Sequence, residues 1–199
     1  YVKGNDRFYY LTLMNENYLH PKRPKSATTE NIIKGAYKYL ENKDPSLRIL
    51  ASGVTLNFAV DAEKELKKLG ISSEIWSITS FNELYKDGIE VERLNRYENK
   101  KSVSHVESCF SECLPTVAVS EYVRAYTNQI RQWVNGDYVT LGTDGFGRSD
   151  TREELRNYFE ISKDHIVINA LIVSGNKDKA EKYIKDKKID LNTKAPWLR

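Results

Sequence analysis

A glycine-rich stretch around Gly145 is the part of this sequence whose residue types first suggest chemistry. Gly142, Gly145 and Gly147 form a G-x-x-G-x-G pattern directly after an apolar run. Glycine-rich turns can cradle phosphate groups, but this spacing is neither a dinucleotide-binding fingerprint nor a Walker loop. We therefore predict that the glycines let the chain bend sharply and pass close to neighbouring backbone. In the same stretch, Asp150 is predicted to be a helix N-cap, and Arg148 is predicted to be free to pair with an acidic surface.

A second pattern combines Asp144-Gly145 with Asn169 further along the chain. It resembles the motif by which thiamine-diphosphate enzymes hold their cofactor and its magnesium ion. However, Thr143 stands where that motif has a glycine, and Asn169 lies within a helical apolar pattern and not at a strand end. A motif counts only in its structural context. We therefore predict no cofactor site here.

Two other strand ends are candidate sites, because ligands of open α/β sheets bind beyond the carboxyl ends of strands. Ser52-Gly53-Val54-Thr55 is a single-glycine turn before a predicted helix, whose free N–H groups can receive an anion. It lacks spaced glycines, so a purely structural turn is the favoured interpretation. The other candidate is a run of four polar residues after an apolar segment. It either lines a cleft or forms a hydrogen-bonded turn, and it comprises Asn15, Glu16, Asn17 and Tyr18.

The two cysteines form a C-x3-C pair with a histidine one turn earlier. On a helix, Cys109, Cys113 and His105 would share one face. A metal site needs three or four ligands, and the other histidines are distant in sequence. We predict two partly buried free thiols in a reducing cytosol and no metal site. No histidine lies beside a glycine-flanked serine or cysteine, so no catalytic residue is predicted.

The composition restricts the class of partner. The chain has 199 residues, with 31 basic and 28 acidic side chains and a net charge of +3. The two signs are interleaved, which argues against a nucleic-acid surface. No apolar run approaches the ~20 residues that cross a membrane, and no signal peptide is evident. We expect a cytoplasmic protein.

The order of predicted elements indicates the fold class. Apolar strands alternate with amphipathic helices, which is typical of an α/β three-layer sandwich with a largely parallel sheet. A hairpin, with arms 36–41 and 47–51, would make that sheet mixed. Gly88 is expected to interrupt the helix that Ser80 caps. The strands are predicted at 8–14, 36–41, 47–51, 74–79, 116–120 and 138–142, and the main helices at 55–69, 81–87, 121–134, after 150, after 162 and around 180–184.

The beginning of the sequence carries its own expectation. A strand at 8–14, close to Tyr1, suggests a piece of a longer chain, and loss of a tag or leader is the alternative. Residues 19–26 contain two prolines and four cations (counting His20) among polar residues, and are predicted to be an extended linker.

Several short sequence motifs, taken together, resemble one enzyme family. They lie at 14–18, 33–38, 77–84 and 87–88, followed by the nine-residue string of the glycine-rich stretch. In this order and spacing they resemble the last quarter of the homodimeric, thiamine-diphosphate-dependent pyruvate dehydrogenases, over essentially the whole chain except 96–104 and the carboxyl terminus. The string comprises Gly142, Thr143, Asp144, Gly145, Phe146, Gly147, Arg148, Ser149 and Asp150.

The resemblance implies a transketolase-like C-terminal domain at 31–199, with a mixed sheet of about five strands. It implies that residues 1–18 are the tail of a pyrimidine-binding domain and 19–30 a linker. It also implies a homodimer that decarboxylates pyruvate and passes the acetyl group to a lipoyl-bearing acetyltransferase component. Thiamine diphosphate and magnesium would be bound by upstream domains and not by this fragment, so no catalytic residue is carried over. The alternatives are another transketolase-superfamily enzyme or a free-standing interaction or regulatory module.

Overall fold

One mixed sheet forms the centre of the molecule. A computed structural model describes residues 4, 6, 8–14, 16–98, 101–190 and 193–199. Within these residues the sheet has five strands in the order β1-β3-β2-β4-β5; β1 runs antiparallel to β3, and the other neighbours are parallel. The strands are β1 (Ala36–Leu40), β2 (Leu47–Ala51), β3 (Ser73–Ile78), β4 (Thr116–Val119) and β5 (Tyr138–Leu141).

The predicted hairpin is wrong, although the sheet is mixed as expected. β3 lies between β1 and β2, so the antiparallel pair is β1 with β3. Every residue of β2 is buried, which suits a central strand with a neighbour on each side. The connection between β1 and β2 is hydrogen-bonded to the start of β3. The side chain of Asn42 donates to the carbonyl of Ser73, the first residue of β3, and Ser46 N donates to the carbonyl of Ser72 just before it. These contacts hold the two arms apart.

Helices cover both faces of the sheet, as the sequence predicts. One core lies under α2, α7 and α8 and contains Leu47, Ile49, Ile75 and Val117. The other lies under α3, α4 and the segment after β4. The helices are α1 (Thr29–Lys34), α2 (Thr55–Lys68), α3 (Phe81–Tyr97), α4 (His105–Cys109), α5 (Arg124–Asn128), α6 (Arg152–Tyr158), α7 (Lys163–Val173) and α8 (Lys177–Lys187), with short 3-10 turns at Arg131–Trp133 and Pro196–Leu198.

Gly88 does not interrupt α3, contrary to the prediction. The helix continues through it to Tyr97. A Cβ atom at this position would stand 2.6 Å from Cζ2 of Trp133. The glycine therefore allows the helix to pack closely on the indole ring.

The helix predicted at 121–134 is also wrong in extent. It is replaced by α5 and the following 3-10 turn. The residues before α5 are held out of the helix by the loop after β5: the N–H of Thr143 donates to Tyr122 O at 2.9 Å and its hydroxyl to Glu121 O at 2.8 Å. Tertiary hydrogen bonds override the helical apolar spacing here.

The strand predicted at 8–14 is not part of the sheet. These residues have no strand partner, and five large apolar side chains are between 77% and 92% exposed. A strand is stabilised by a paired neighbour and a covered face, and the described residues give it neither. The exposed side chains are Phe8, Tyr9, Tyr10, Leu11 and Leu13.

A charged network is buried near the amino ends of the parallel strands. Arg48 and Glu74 are each 1% exposed, and Arg48 Nε lies 2.7 Å from Glu74 Oε1. Trp76 Nε1 donates to the same oxygen at 3.0 Å, and Lys38 Nζ lies 2.9 Å from the other. Burial raises the pKa of Glu74, but the bonds to Lys38, Arg48 and Trp76 together lower it by a larger amount, so the net pKa lies below the usual value. The carboxylate thus stays ionised inside the fold.

None of the helices in the described residues is both long and apolar enough to cross a membrane.

Candidate functional site at the carboxyl edge of the sheet

A cleft of about 660 Å³ opens at the carboxyl ends of β2 and β3. Its floor is formed by the ends of these strands and by the start of α2, and its roof by Met14 and residues 18–21. One wall carries Tyr122 and Tyr126, whose ring centroids are 5.1 Å apart. The cleft lies where ligands of open α/β sheets bind.

The turn Ser52–Thr55 lies on the floor of this cleft. Gly53 has a φ of 63° and leads into α2, which is 14 residues long. The Thr55 hydroxyl donates to Ser52 O at 2.8 Å and accepts from Ser52 N at 3.1 Å, so it is engaged within the turn. Val54 occupies the N-cap position and has no side-chain capping bond. The structural role predicted for the turn is present, and the helix N-terminus faces the cleft as well.

The polar residues after the apolar segment separate into different roles. Tyr18 lines the cleft, whereas Glu16 and Asn17 are exposed and do not. Glu16 lies 3.0 Å from Arg152 Nε, an ion pair to α6. Asn15 lies outside the described residues, so its predicted position in the cleft remains a prediction.

Arg156 fastens this roof to the domain. Its Nη2 donates to the Tyr18 hydroxyl at 2.7 Å and lies 3.1 Å from Glu121 Oε1. Its guanidinium also lies 4.6 Å from the ring centroid of Phe58 on α2. Burial lowers the pKa of Arg156, but the bonds to Tyr18 and Glu121 raise it more, so the net pKa is above the usual value. The guanidinium is a fixed positive charge that joins three parts of the chain.

Sequence reasoning did not find Arg152 and Arg156. They lie one turn apart on a polar-looking helix, and their partners are distant in sequence, 138 positions away for Tyr18. Their i, i+4 spacing is a signal only of a shared helix face. Nothing local distinguishes such a pair from a solvated surface.

The glycine-rich loop lies outside the cleft and has a structural role, as predicted. A Cβ on Gly142 would stand 2.5 Å from Tyr122 O, and Gly145 has a φ of 100° with Trp197 Cα 3.0 Å from its Cβ position. Gly147 has open space around it. Two of the three glycines are therefore required by close backbone approach.

The other residues of the loop depart from prediction in two places. The N-cap of α6 is Thr151, whose hydroxyl accepts from Glu154 N, while Asp150 accepts from Thr151 N at 2.7 Å. The predicted cap is one residue early, because threonine has the extended backbone that an N-cap requires. Arg148 is not free: it donates to Tyr158 Oη at 3.1 Å and to the carbonyl of Arg199 at 2.7 Å. The Phe146 side chain is 84% exposed.

Asp144 and Asn169 do not fit a thiamine-diphosphate or magnesium site. Both carboxylate oxygens of Asp144 are engaged by Arg124, from its backbone N at 2.9 Å and its Nε at 2.5 Å. Asn169 lies within α7 and donates to His165 O at 2.9 Å. A carboxylate neutralised by a guanidinium is a poor ligand for a hard cation. No step of cofactor chemistry is assigned to these residues.

The cysteines do not share a helix face. Cys109 ends α4 with its Sγ 3.6 Å from His105 Nε2, while Cys113 lies beyond the helix and is exposed. Burial raises the pKa of the Cys109 thiol to about 11. The described residues contain no group of three or more His, Cys, Asp or Glu side chains that could hold a metal.

The fold and the sequence match one superfamily. The transketolase-like TK C-terminal domain model matches residues 35–162. Solved transketolases from Pichia stipitis and Leishmania mexicana superpose with TM-scores of 0.56 and 0.54, at 19% and 21% identity. The superposition with the Pichia stipitis enzyme covers 79% of this chain and 20% of that enzyme. The superposition with the Leishmania mexicana enzyme covers 75% of this chain and 19% of that enzyme. Identities this low establish the fold alone.

Curated relatives carry the name of the family that the short sequence motifs predicted, pyruvate dehydrogenase. The pyruvate dehydrogenase E1 component of Pseudomonas aeruginosa is 46% identical over 174 residues, which is 83% of this chain and 20% of that protein. That of Cupriavidus necator is 40% identical over 98% of this chain and 23% of its own length. The pyruvate dehydrogenase E1 component of Escherichia coli is 38% identical over 85% of this chain and 20% of its own length.

The chain therefore spans about a fifth of the length of these relatives, in their transketolase-like C-terminal part. The predicted resemblance is confirmed, including a five-stranded mixed sheet with helices on both faces. The glycine-rich loop, which identified the family from the sequence, lies within the matched region. On these observations, the chain belongs to the transketolase-like C-terminal domain family, and its curated relatives are pyruvate dehydrogenase E1 components.

Proposed function

We propose that this chain is the non-catalytic C-terminal part of a pyruvate dehydrogenase. The whole enzyme would decarboxylate pyruvate with thiamine diphosphate and magnesium, and transfer the acetyl group to a lipoyl group on an acetyltransferase partner. The shared name of the relatives supports this proposal. The cofactor would be held by other domains, because Asp144 and Asn169 are committed to contacts within this one. The enzyme would be a cytoplasmic homodimer.

The role of the domain itself rests on one observation, the fastening of residues 16–18 by α6. Arg152 pairs with Glu16, and Arg156 donates to Tyr18. We propose that residues 1–18 are the tail of the preceding pyrimidine-binding domain, 19–30 the linker, and 31–199 the C-terminal domain. In that arrangement α6 fixes how the two domains are joined. Its contribution is to the architecture of the active site and of the dimer.

The exposed apolar segment supports this division. Phe8, Tyr9 and Leu13 are each more than 80% exposed, and they lie directly before the fastened residues. Contiguous exposed apolar side chains of this size mark a surface that another part of an assembly covers. The preceding domain is the cover that the proposal assigns to it.

The test uses the complete natural chain that contains this sequence. That protein, supplied with thiamine diphosphate and Mg²⁺, is assayed with pyruvate and with xylulose 5-phosphate as alternative substrates. We expect release of carbon dioxide from pyruvate and no turnover of the sugar phosphate. Turnover of xylulose 5-phosphate without any of pyruvate would assign the chain to a transketolase instead. Absence of both activities, with the cofactor shown to be bound, would contradict the proposed activity.

A further inference from the structure

The cleft under the roof of Met14 and residues 18–21 has the properties of a ligand site that the proposed catalytic role does not use. Its volume of about 660 Å³ is within the range of small-molecule sites, ~300–1,000 Å³. Among the described residues that line it, none is Asp, Glu, Lys or Arg. Apart from the tyrosines, His20 is the one ionisable side chain among these lining residues, so a ligand with several charges would find at most one side-chain counter-charge.

The start of α2 supplies the feature that selects an anion. Its N-cap residue, Val54, makes no side-chain capping bond, and the first turn contains no acidic residue. Gly53 and Val54 both line the cleft, and within the described part of the chain their N–H groups have no hydrogen-bond acceptor. The positive end of a 14-residue helix is thus left uncompensated where it meets the cleft.

Ser77 is an independent second sign of a ligand. It is only 7% exposed and lines the cleft, and its hydroxyl has no hydrogen-bond partner in the described residues. In the sheet it lies opposite Ala51, two residues before Gly53. Most side chains this enclosed bond their hydroxyl to the protein, so a hydroxyl that opens on the cleft without such a bond is available to a ligand there.

The walls are aromatic. Tyr18, Tyr37, Tyr122 and Tyr126 all line the cleft, and the last two pack ring against ring at 5.1 Å. Tyrosine faces bind planar rings, and phenol hydroxyls supply hydrogen bonds at the ring edge. The roof tyrosine, Tyr18, is held over the cleft by Arg156.

We propose that this cleft binds a small molecule with a planar ring and a single anionic group, a monophosphate or a carboxylate. The anionic group lies on the N–H groups of Gly53 and Val54 and accepts a hydrogen bond from Ser77. The ring lies between the tyrosines of the roof and wall. The inference goes beyond the proposed enzymatic role and does not depend on it.

The test is titration calorimetry of the 199-residue protein with four probes: AMP, phenylacetate, adenosine and inorganic phosphate. We expect saturable binding of AMP or of phenylacetate, which distinguishes the monophosphate from the carboxylate. Adenosine and phosphate alone should bind at least about tenfold more weakly, because each lacks one half of the recognised chemistry. Bound ligand should shift the amide NMR signals of Gly53 and Val54.

Three variants tie the binding to the cleft. Ser77→Ala should lower the affinity for the probe by about tenfold, the usual effect of losing a hydrogen bond to a charged group. Asn57→Glu places a carboxylate in the first turn of α2, inside the cleft, and should abolish binding without destabilising the fold. Asn82→Glu is the matched control, since it adds the same charge to the first turn of α3 away from the cleft lining, and it should bind normally.

Failure of both AMP and phenylacetate to bind at millimolar concentration would overturn the proposal. Equal affinity for AMP and adenosine would overturn it as well, because the anionic group would then contribute nothing. So would binding that Asn57→Glu leaves unchanged.

Discussion

The hydroxyl of Tyr18 accepts a hydrogen bond of 2.7 Å from Nη2 of Arg156, which is 138 positions further along the chain. The same guanidinium binds Glu121, after β4, and lies against Phe58 on α2. The position of the segment before the linker is therefore set by α6. This is the helix into which the glycine-rich loop leads, so the loop acts on the site indirectly, through the helix that it places.

Calorimetry tests the assignment of the cofactor to other domains. Titration of the 199-residue protein with thiamine diphosphate and Mg²⁺ should give no binding heat, because Arg124 already occupies the Asp144 carboxylate. The Asp144→Asn variant is the control, and it should behave identically in this titration. Micromolar affinity that is lost in Asp144→Asn would show that the rejected motif does bind the cofactor.

Two glycines of the loop should respond differently to the same substitution. Gly142→Ala would bring a methyl group to 2.5 Å from Tyr122 O, and backbone atoms cannot move aside. We expect a loss of about 1–3 kcal/mol in the free energy of unfolding, as for overpacked sites. Gly147→Ala meets open space and should change stability by less than about 0.5 kcal/mol. Urea denaturation of both variants measures the difference, and equal effects would contradict the structural role given to Gly142.

The sequence predicted the sheet well where strand burial and turn chemistry agree, and less well where distant contacts decide. The strand β2 and the helix α2, which is followed after Leu69 by Gly70 with a φ of 74°, are as predicted. The hairpin failed because adjacency in sequence does not determine which strands pair, and Asn42 binds the first residue of β3. The roof of the cleft could not be predicted, because its fastening depends on side chains separated by most of the chain.

The buried ion pair should be costly to break and should give stability a pH dependence. Arg48→Met removes one of the two cations that bind Glu74, and because Lys38 remains we expect a loss of about 3 kcal/mol in the free energy of unfolding. The pKa of Glu74 is lowered in the folded protein, so its stabilising contribution is present above the unfolded value of about 4.3 and is lost as the pH falls through the folded pKa.

Urea denaturation as a function of pH, between neutral and acidic conditions, checks both statements. The Glu74→Gln variant should lose that part of the acid-dependent change in unfolding free energy. A variant with the same acid dependence as the unsubstituted protein would show that Glu74 is not the group responsible.

The two thiols should differ in reactivity. Burial raises the pKa of Cys109 to about 11, whereas Cys113 is exposed. Because the thiolate is the reactive form, iodoacetamide at about pH 8 should label Cys113 at least tenfold faster. Mass spectrometry of digested protein gives the two rates, and Cys113→Ser is the control that isolates Cys109. Equal labelling rates would show that Cys109 is accessible and ionised.

The most direct test of the fastening role is the turnover of pyruvate by the complete natural chain carrying Arg156→Met. Methionine keeps the apolar stem but loses the bonds to Tyr18 and Glu121. The matched control is Arg93→Met, which removes an exposed arginine on α3 whose partner is Glu90. We expect turnover to fall about tenfold in Arg156→Met, since small displacements of the supporting structure are costly to catalysis, and to stay unchanged in Arg93→Met. Equal turnover in the two variants would contradict the claim that this domain supports the active site through α6.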